Sequence, residues 1–135
     1  MAIYHESRGE PIKGQYAVAE VVLNRADKRN LDVCEVIYEK GQFQNANKWK
    51  MPSEYDENWQ IAMDVAYNSL LNKTSYTNGA TFFKVKKLKK RGKSIIIGNH
   101  AFYKNWYDSQ AVKDPVVIRQ YRNVSQVRIM LVPPT

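Results

Sequence analysis

Hydrophobic residues recur at helical spacing in the first half of the chain. Residues 2–7 are typical of a helix end, which Gly9 and Pro11 stop because glycine favours C-terminal caps and proline cannot continue a helix. A second helix is predicted over residues 14–25, whose 3.6-residue stripe consists of Ala17, Val18, Val21, Val22 and Arg25. A short helix over residues 33–39 would bury Cys34 as a small hydrophobic side chain.

A long helix is predicted after Pro52, with Ser53 as its N-cap. One face of this helix is marked by Trp59, Ala62, Met63, Ala66 and Leu70. The spacing predicts that this face packs on the other helices.

The second half of the chain changes to residues typical of strands. Residues 79–86 and 94–103 are rich in β-branched and aromatic side chains, and each predicts one strand. Residues 125–132 predict a further strand. Helices followed by a small antiparallel sheet indicate the α+β class, and 135 residues fit a single domain, 1–135.

Positive charge is concentrated in one stretch, the basic segment Lys84 to Lys93. Its seven Lys and Arg residues account for nearly all of the net charge of +8. The two predicted strands flank it, so it is expected to form a hairpin tip that contacts an anionic wall polymer, nucleic acid or anionic lipid, or is simply solvated. Nucleic acid is not expected, because no recognised docking motif accompanies the charge. No apolar stretch reaches the ~20 residues of a membrane span.

Cofactors are not expected. A single cysteine excludes an internal disulfide, and two histidines far apart in the sequence do not suggest a zinc site. No signal peptide is visible at the N-terminus.

Candidate chemistry lies in the stretch Tyr4-His5-Glu6-Ser7-Arg8-Gly9-Glu10-Pro11. It places two carboxyl groups near a turn, with a cation between them. Glycosidic cleavage needs a carboxylic acid to protonate the leaving oxygen, and partial burial raises the pKa of such an acid. A capping or ion-pair role for the same residues is the alternative.

This stretch, followed by Gly14-Gln15 and by residues 17–25, resembles the signature of the SleB-type cell wall hydrolases, the spore-cortex-lytic enzymes and their vegetative and phage relatives. Further matches follow in order as Val33-Cys34, Gln42-Phe43, residues 79–83 and residues 97–103. The resemblance extends over about residues 1–103. The family usually has more helix before Ala2, and its members have a lighter basic segment.

The resemblance implies a lysozyme-like, mainly helical α+β domain that cleaves peptidoglycan between N-acetylmuramic acid and N-acetylglucosamine. It implies lytic transglycosylation with Glu6 as the catalytic residue and no metal. The protein is separately expected to be a monomer. Asn24 and Arg25 are expected to tie the second helix to the rest of the domain. The residues expected to bind substrate are Glu10, Gln42, Phe43, Thr81, Phe83 and His100.

Two other activities remain open from the residues alone. One is a water-using muramidase or glucosaminidase, and the other is a non-catalytic module that binds the cell wall or a polyanion. The expected place of action is the bacterial cell wall. The short, signal-less form suits a phage lysis or virion protein, or the catalytic piece of a longer bacterial protein.

Overall fold

The computed structural model describes residues 1–39, 43, 45–86 and 93–110. Its elements are α1 (Ala2–Ser7), α2 (Ile12–Arg29), α3 (Val33–Tyr38), α4 (Glu57–Leu71), β1 (Phe82–Val85), β2 (Ile95–Ile97) and β3 (His100–Tyr103), with 3₁₀ turns at Ala46–Lys48 and Tyr107–Ser109. The α+β prediction is confirmed. Gln42 and the strand predicted over residues 125–132 lie outside the described residues.

The central helix α2 carries most of the core. Its predicted stripe is buried as expected, and Ala17, Val18 and Val21 are fully buried. These side chains pack against Ile97 and Phe102 of the sheet. Other faces of α2 pack on α1, α3 and α4. The helix therefore fixes the position of every element that carries a candidate site residue.

The start and the buried face of α4 differ from the prediction. Asp56, and not Ser53, is the N-cap, because its carboxylate accepts hydrogen bonds from the backbone N–H groups of residues 58 and 59. Of the predicted face, Met63 and Leu70 are exposed. The buried positions are Ala62, Val65 and Ser69. Their i, i+3, i+7 spacing marks a face that is rotated from the predicted one. The small side chains on this face let α4 pack closely on α1 and α2.

The sheet has three antiparallel strands in the order β1-β3-β2. Residues 94–103, predicted as one strand, divide into β2 and β3 at a tight turn over Gly98 and Asn99. Because β1 and β2 are not neighbours, the basic segment does not join paired strands, and the predicted hairpin tip is wrong. Residues 87–92 of that segment lie outside the described residues.

Cys34 is exposed, which corrects its predicted burial. Helix α3 has only six residues, and the face that it packs inward carries Val36, with Val33 and Ile37 partly buried beside it. Cys34 lies off that face. Within the described part of the chain, no helix combines the length and apolar character needed to cross a membrane.

Candidate active site

Helix α1 is held firmly although it has only six residues. The Tyr4 hydroxyl donates a 2.7 Å hydrogen bond to Asp56, the N-cap of α4, and the Tyr4 ring packs edge-on against Trp59. Ile3 packs with Ala19 of α2. These contacts tie α1 to two longer helices, so a side chain on α1 has a rigid base.

Glu6 lies in the last turn of α1 and is half-buried. No described residue donates a hydrogen bond to its carboxyl group or forms an ion pair with it. Burial alone raises the pKa of Glu6, because the charged form loses hydration without gaining a partner. The arrangement favours a carboxyl group that holds a proton above the usual pH range of glutamic acid.

Glu10 has the opposite environment. Its Oε1 accepts a 2.7 Å hydrogen bond from the backbone N–H of Asn99, and its Oε2 accepts a 3.0 Å bond from the Asn99 side chain. Gly98 has a φ of +61°, and a Cβ at that position would lie 2.7 Å from Oε1 of Glu10. A glycine is therefore required for this carboxylate to join the α1–α2 connection to the β2–β3 turn.

His100 is buried at the start of β3, and its Nδ1 lies 3.5 Å from Oε1 of Glu10. This nitrogen makes no hydrogen bond with any described residue. Burial lowers the pKa of His100, and the nearby charge of Glu10 opposes that effect only in part. Burial therefore favours the neutral imidazole, and the contact with Glu10 becomes an ion pair only when His100 is protonated.

A continuous line of aromatic rings runs from α4 through α1 to the sheet. Consecutive ring centroids lie 5.0 to 6.3 Å apart, and His5 stacks on Trp49 with an interplanar angle of 7°. The members of this ring line are, in order, Trp59, Tyr4, His5, Trp49, Phe43, Phe83 and His100. Glu6 follows His5 directly, so the ring line passes its helix and connects it to Phe43, Phe83 and His100.

Thr81 immediately precedes β1 and is buried. Its hydroxyl donates a 2.6 Å hydrogen bond to the carbonyl of Lys104, and its own carbonyl accepts one from Nε of Arg25. Asn24 donates to the carbonyl of Ala80. Asn24 and Arg25 thus tie α2 to the chain before β1, as predicted.

The sequence reasoning did not identify several residues that shape this region. These residues contact side chains that are distant in the sequence, and Asn99 lies 89 positions from its hydrogen-bond partner Glu10. The residues are Tyr4, His5, Trp49, Asp56 and Asn99. Only Tyr4 and His5 carried a local signal, through their place beside Glu6. In the described ranges, no group of three or more His, Cys, Asp or Glu side chains could hold a metal ion.

Comparison with known proteins places this geometry in a family. Residues 9–103 match the family model described as cell wall hydrolase. The fold resembles the crystal structure of the catalytic domain of the Bacillus cereus SleB protein, with a TM-score of 0.61 and 29% identity over 76% of this chain and 84% of that chain. No curated protein sequence matches significantly. The chain belongs to the cell wall hydrolase family and is an enzyme that acts on the peptidoglycan of the bacterial cell wall.

Proposed function

We propose that this enzyme cleaves the glycan strands of peptidoglycan between N-acetylmuramic acid and N-acetylglucosamine, as a lytic transglycosylase whose single catalytic acid is Glu6. The observation that carries the proposal is the half-buried Glu6 carboxyl group, to which no described residue offers a hydrogen bond or a counter-charge. A general acid must keep its proton until the substrate arrives, and burial favours the protonated form.

The environment of Glu10 supports a mechanism with one carboxyl group. Both of its oxygens accept hydrogen bonds from Asn99, so Glu10 is committed to joining two parts of the backbone. Direct hydrolysis by an inverting or retaining enzyme would call on a second free carboxylate. Lytic transglycosylation calls on none.

The reaction requires two proton transfers at Glu6. Its carboxylic acid gives a proton to the glycosidic oxygen while the bond from that oxygen to C1 of muramic acid breaks. The resulting carboxylate then takes the proton from the C6 hydroxyl of the same sugar, whose oxygen closes on C1. The product carries an anhydro ring, Glu6 ends protonated, and no water is consumed.

The ring line supplies a surface suited to a sugar chain. An aromatic face can stack on the apolar face of a pyranose, and Tyr and Trp add a polar edge. Half-buried Trp49, stacked on His5 directly before Glu6, is the member best placed for this role. Phe43, Phe83 and His100 continue the line, and we propose that they contact substrate. Substrate binding by Glu10, Thr81 and Gln42 stays a prediction. Glu10 and Thr81 already form hydrogen bonds within the protein, and Gln42 lies outside the described residues.

Mass spectrometry of digested peptidoglycan tests the reaction type. Lytic transglycosylation releases muropeptides with anhydromuramyl ends, each lighter by one water than its hydrolysed counterpart. Reducing muramic acid ends would instead identify a water-using muramidase, and reducing glucosamine ends a glucosaminidase. Wall binding without any released fragment would overturn the enzymatic proposal as a whole.

A further inference from the structure

A cavity lies between the C-terminal third of α2 and the start of β1, and it has a volume of about 360 Å³. Its lining combines three cationic side chains with one carboxylate. The lining residues are Arg25, Lys28, Arg29, Glu39, Thr81 and Phe82. The function proposed for Glu6 makes no use of this cavity.

The single carboxylate of the cavity is already paired. Arg29 donates from both terminal nitrogens to the two oxygens of Glu39, and this pairing lowers the pKa of Glu39. Glu39 also acts on Arg25 through space, but among the lining residues neither Arg25 nor Lys28 forms an ion pair. The cavity has an excess of two positive charges.

Among the residues that the structure describes, the Arg25 side chain in this cavity lacks a hydrogen-bond acceptor for one of its terminal nitrogens. It is only 7% exposed, and its Nε donates to the carbonyl of Thr81. The guanidinium carbon lies 5.4 Å from the ring centroid of Phe43 and 4.8 Å from that of Phe82. Its Nη1 has no hydrogen-bond partner among the described residues. Burial lowers the pKa of Arg25 to about 10, which is the response of a guanidinium whose charge is poorly compensated.

Structural roles explain part of this cluster but not all of it. Lys28 and Arg29 lie in the last turn of α2, where cations are favoured by the helix dipole whether or not a ligand binds. The Nε of Arg25 ties α2 to Thr81. Neither role accounts for a buried N–H group to which no described residue offers an acceptor, because such groups are nearly always paired in folded proteins.

We propose that this cavity is a carboxylate subsite in which Arg25 and Lys28 hold a carboxylate of the peptidoglycan stem peptide. This inference rests on the proposed function. A guanidinium fork binds a carboxylate with two parallel hydrogen bonds, and a neighbouring ammonium adds a point charge. In intact peptidoglycan the lactyl carboxyl group of muramic acid is amide-linked to the stem peptide, so the stem peptide is the part of the substrate that carries free carboxylates.

The position of the cavity agrees with that ligand. Three successive contacts of 5.0 to 6.2 Å lead from the Arg25 guanidinium through Phe43 and Trp49 to His5, the neighbour of Glu6. A stem peptide of four residues spans about 13 Å when extended. The lactyl group that links the peptide to muramic acid lengthens this reach, which makes it comparable to the path of contacts between Arg25 and His5.

The test compares two peptide-bearing glycans of equal length, one with native stem peptides and one whose stem-peptide carboxylates have been converted to amides. The wild-type enzyme is expected to have a kcat/KM at least about tenfold higher on the glycan with free carboxylates, the scale of one charge-assisted pair. Lys28→Gln should lower this ratio several-fold. Lys13→Gln is the matched control, since it removes the same charge from the opposite end of α2, and its ratio should equal that of the wild type. A wild-type ratio near one would overturn the inference.

A binding measurement keeps the inference separate from the proposed function. NMR of the intact chain should show the Arg25 Nε–H signal shift on addition of free stem peptide, and Arg25→Lys should weaken the binding. A shift with inorganic phosphate but not with the peptide would overturn the carboxylate assignment and point to a wall phosphate polymer. No shift with either ligand would also overturn it. If the peptide binds but neither glycan is cleaved, the subsite stands and the proposed function fails.

Discussion

Glu6 is half-buried and Glu20 is fully buried, but in the part of the chain that the structure describes only Glu20 has hydrogen-bond donors around its carboxyl group. Glu20 is 1% exposed in the middle of α2 and accepts hydrogen bonds from Thr74, from the backbone of Tyr76, and from both the backbone and hydroxyl of Thr77. Glu6 accepts none from any described residue. A buried carboxylate surrounded by donors is part of the scaffold, whereas one without donors is suited to proton transfer.

The largest effect is expected for Glu6→Gln, which preserves shape and removes the transferable proton. General acid–base catalysis is typically worth ~10²–10⁴-fold, so turbidity clearance of cell walls should fall by at least about 100-fold. The exposed Glu57→Gln is the matched control and should clear walls at the wild-type rate. Near-normal clearance by Glu6→Gln would contradict the assignment and make Glu10→Gln the next variant to measure.

Glu20→Gln sharpens the other side of the comparison. The amide of the new Gln side chain would place its own N–H group against the N–H and hydroxyl donors that now bind the Glu20 carboxylate. This clash should lower the free energy of unfolding by about 3 kcal/mol in urea titrations. Glu6→Gln should not destabilise the fold at pH 7, because the stability that the Glu6 carboxyl group contributes is present at low pH. Burial raises the folded-state pKa of Glu6, so this contribution is lost as pH rises through that pKa. Equal stability losses in both variants would remove the distinction.

The basic segment should have the smallest effect. Replacing Lys86, Lys87, Lys89 and Lys90 with Ser should weaken binding to whole walls by about tenfold at low salt, through lost electrostatic attraction. The difference should fade between 0.1 and 1 M salt, as the Debye length falls from ~10 to ~3 Å. Turnover of a short soluble glycan should stay the same, and an equal loss on that substrate would show that the segment grips the glycan directly.

Elements with strong periodicity could be predicted from the sequence. The stripe of α2 and the helix end at Ser7 follow from local patterns, since buried positions repeat and Gly9 and Pro11 interrupt the helix. The β2–β3 turn was missed because Gly98 and Asn99 lie inside a run of strand-forming residues. Only the three-dimensional packing of Gly98 against Glu10 shows why the chain must turn there.

The sequence predicts candidate site residues only where they belong to short local motifs. Glu6 is predicted from its motif, but nothing in the sequence indicates that no described residue pairs with its carboxyl group, while that of Glu10 accepts two hydrogen bonds. The ring line and the Arg25 cavity join residues from separate elements, and no spacing in the sequence reports that Trp49 stacks on His5. Long-range packing therefore gives two similar glutamates different surroundings, and our proposal that Glu6 is the acid rests on that difference.

The most direct test of the central claim compares the titration of Glu6 with the pH dependence of catalysis. Carbon-13 NMR of the Glu6 carboxyl group gives its pKa in the free enzyme, and the alkaline limb of kcat/KM gives the pKa of the essential acid. The account predicts one shared value, above the ordinary range of glutamic acid, with activity falling tenfold per pH unit beyond it. Because desolvation causes the shift, the value should hardly change with salt. An ordinary pKa for Glu6, or an alkaline limb that follows another group, would contradict the account.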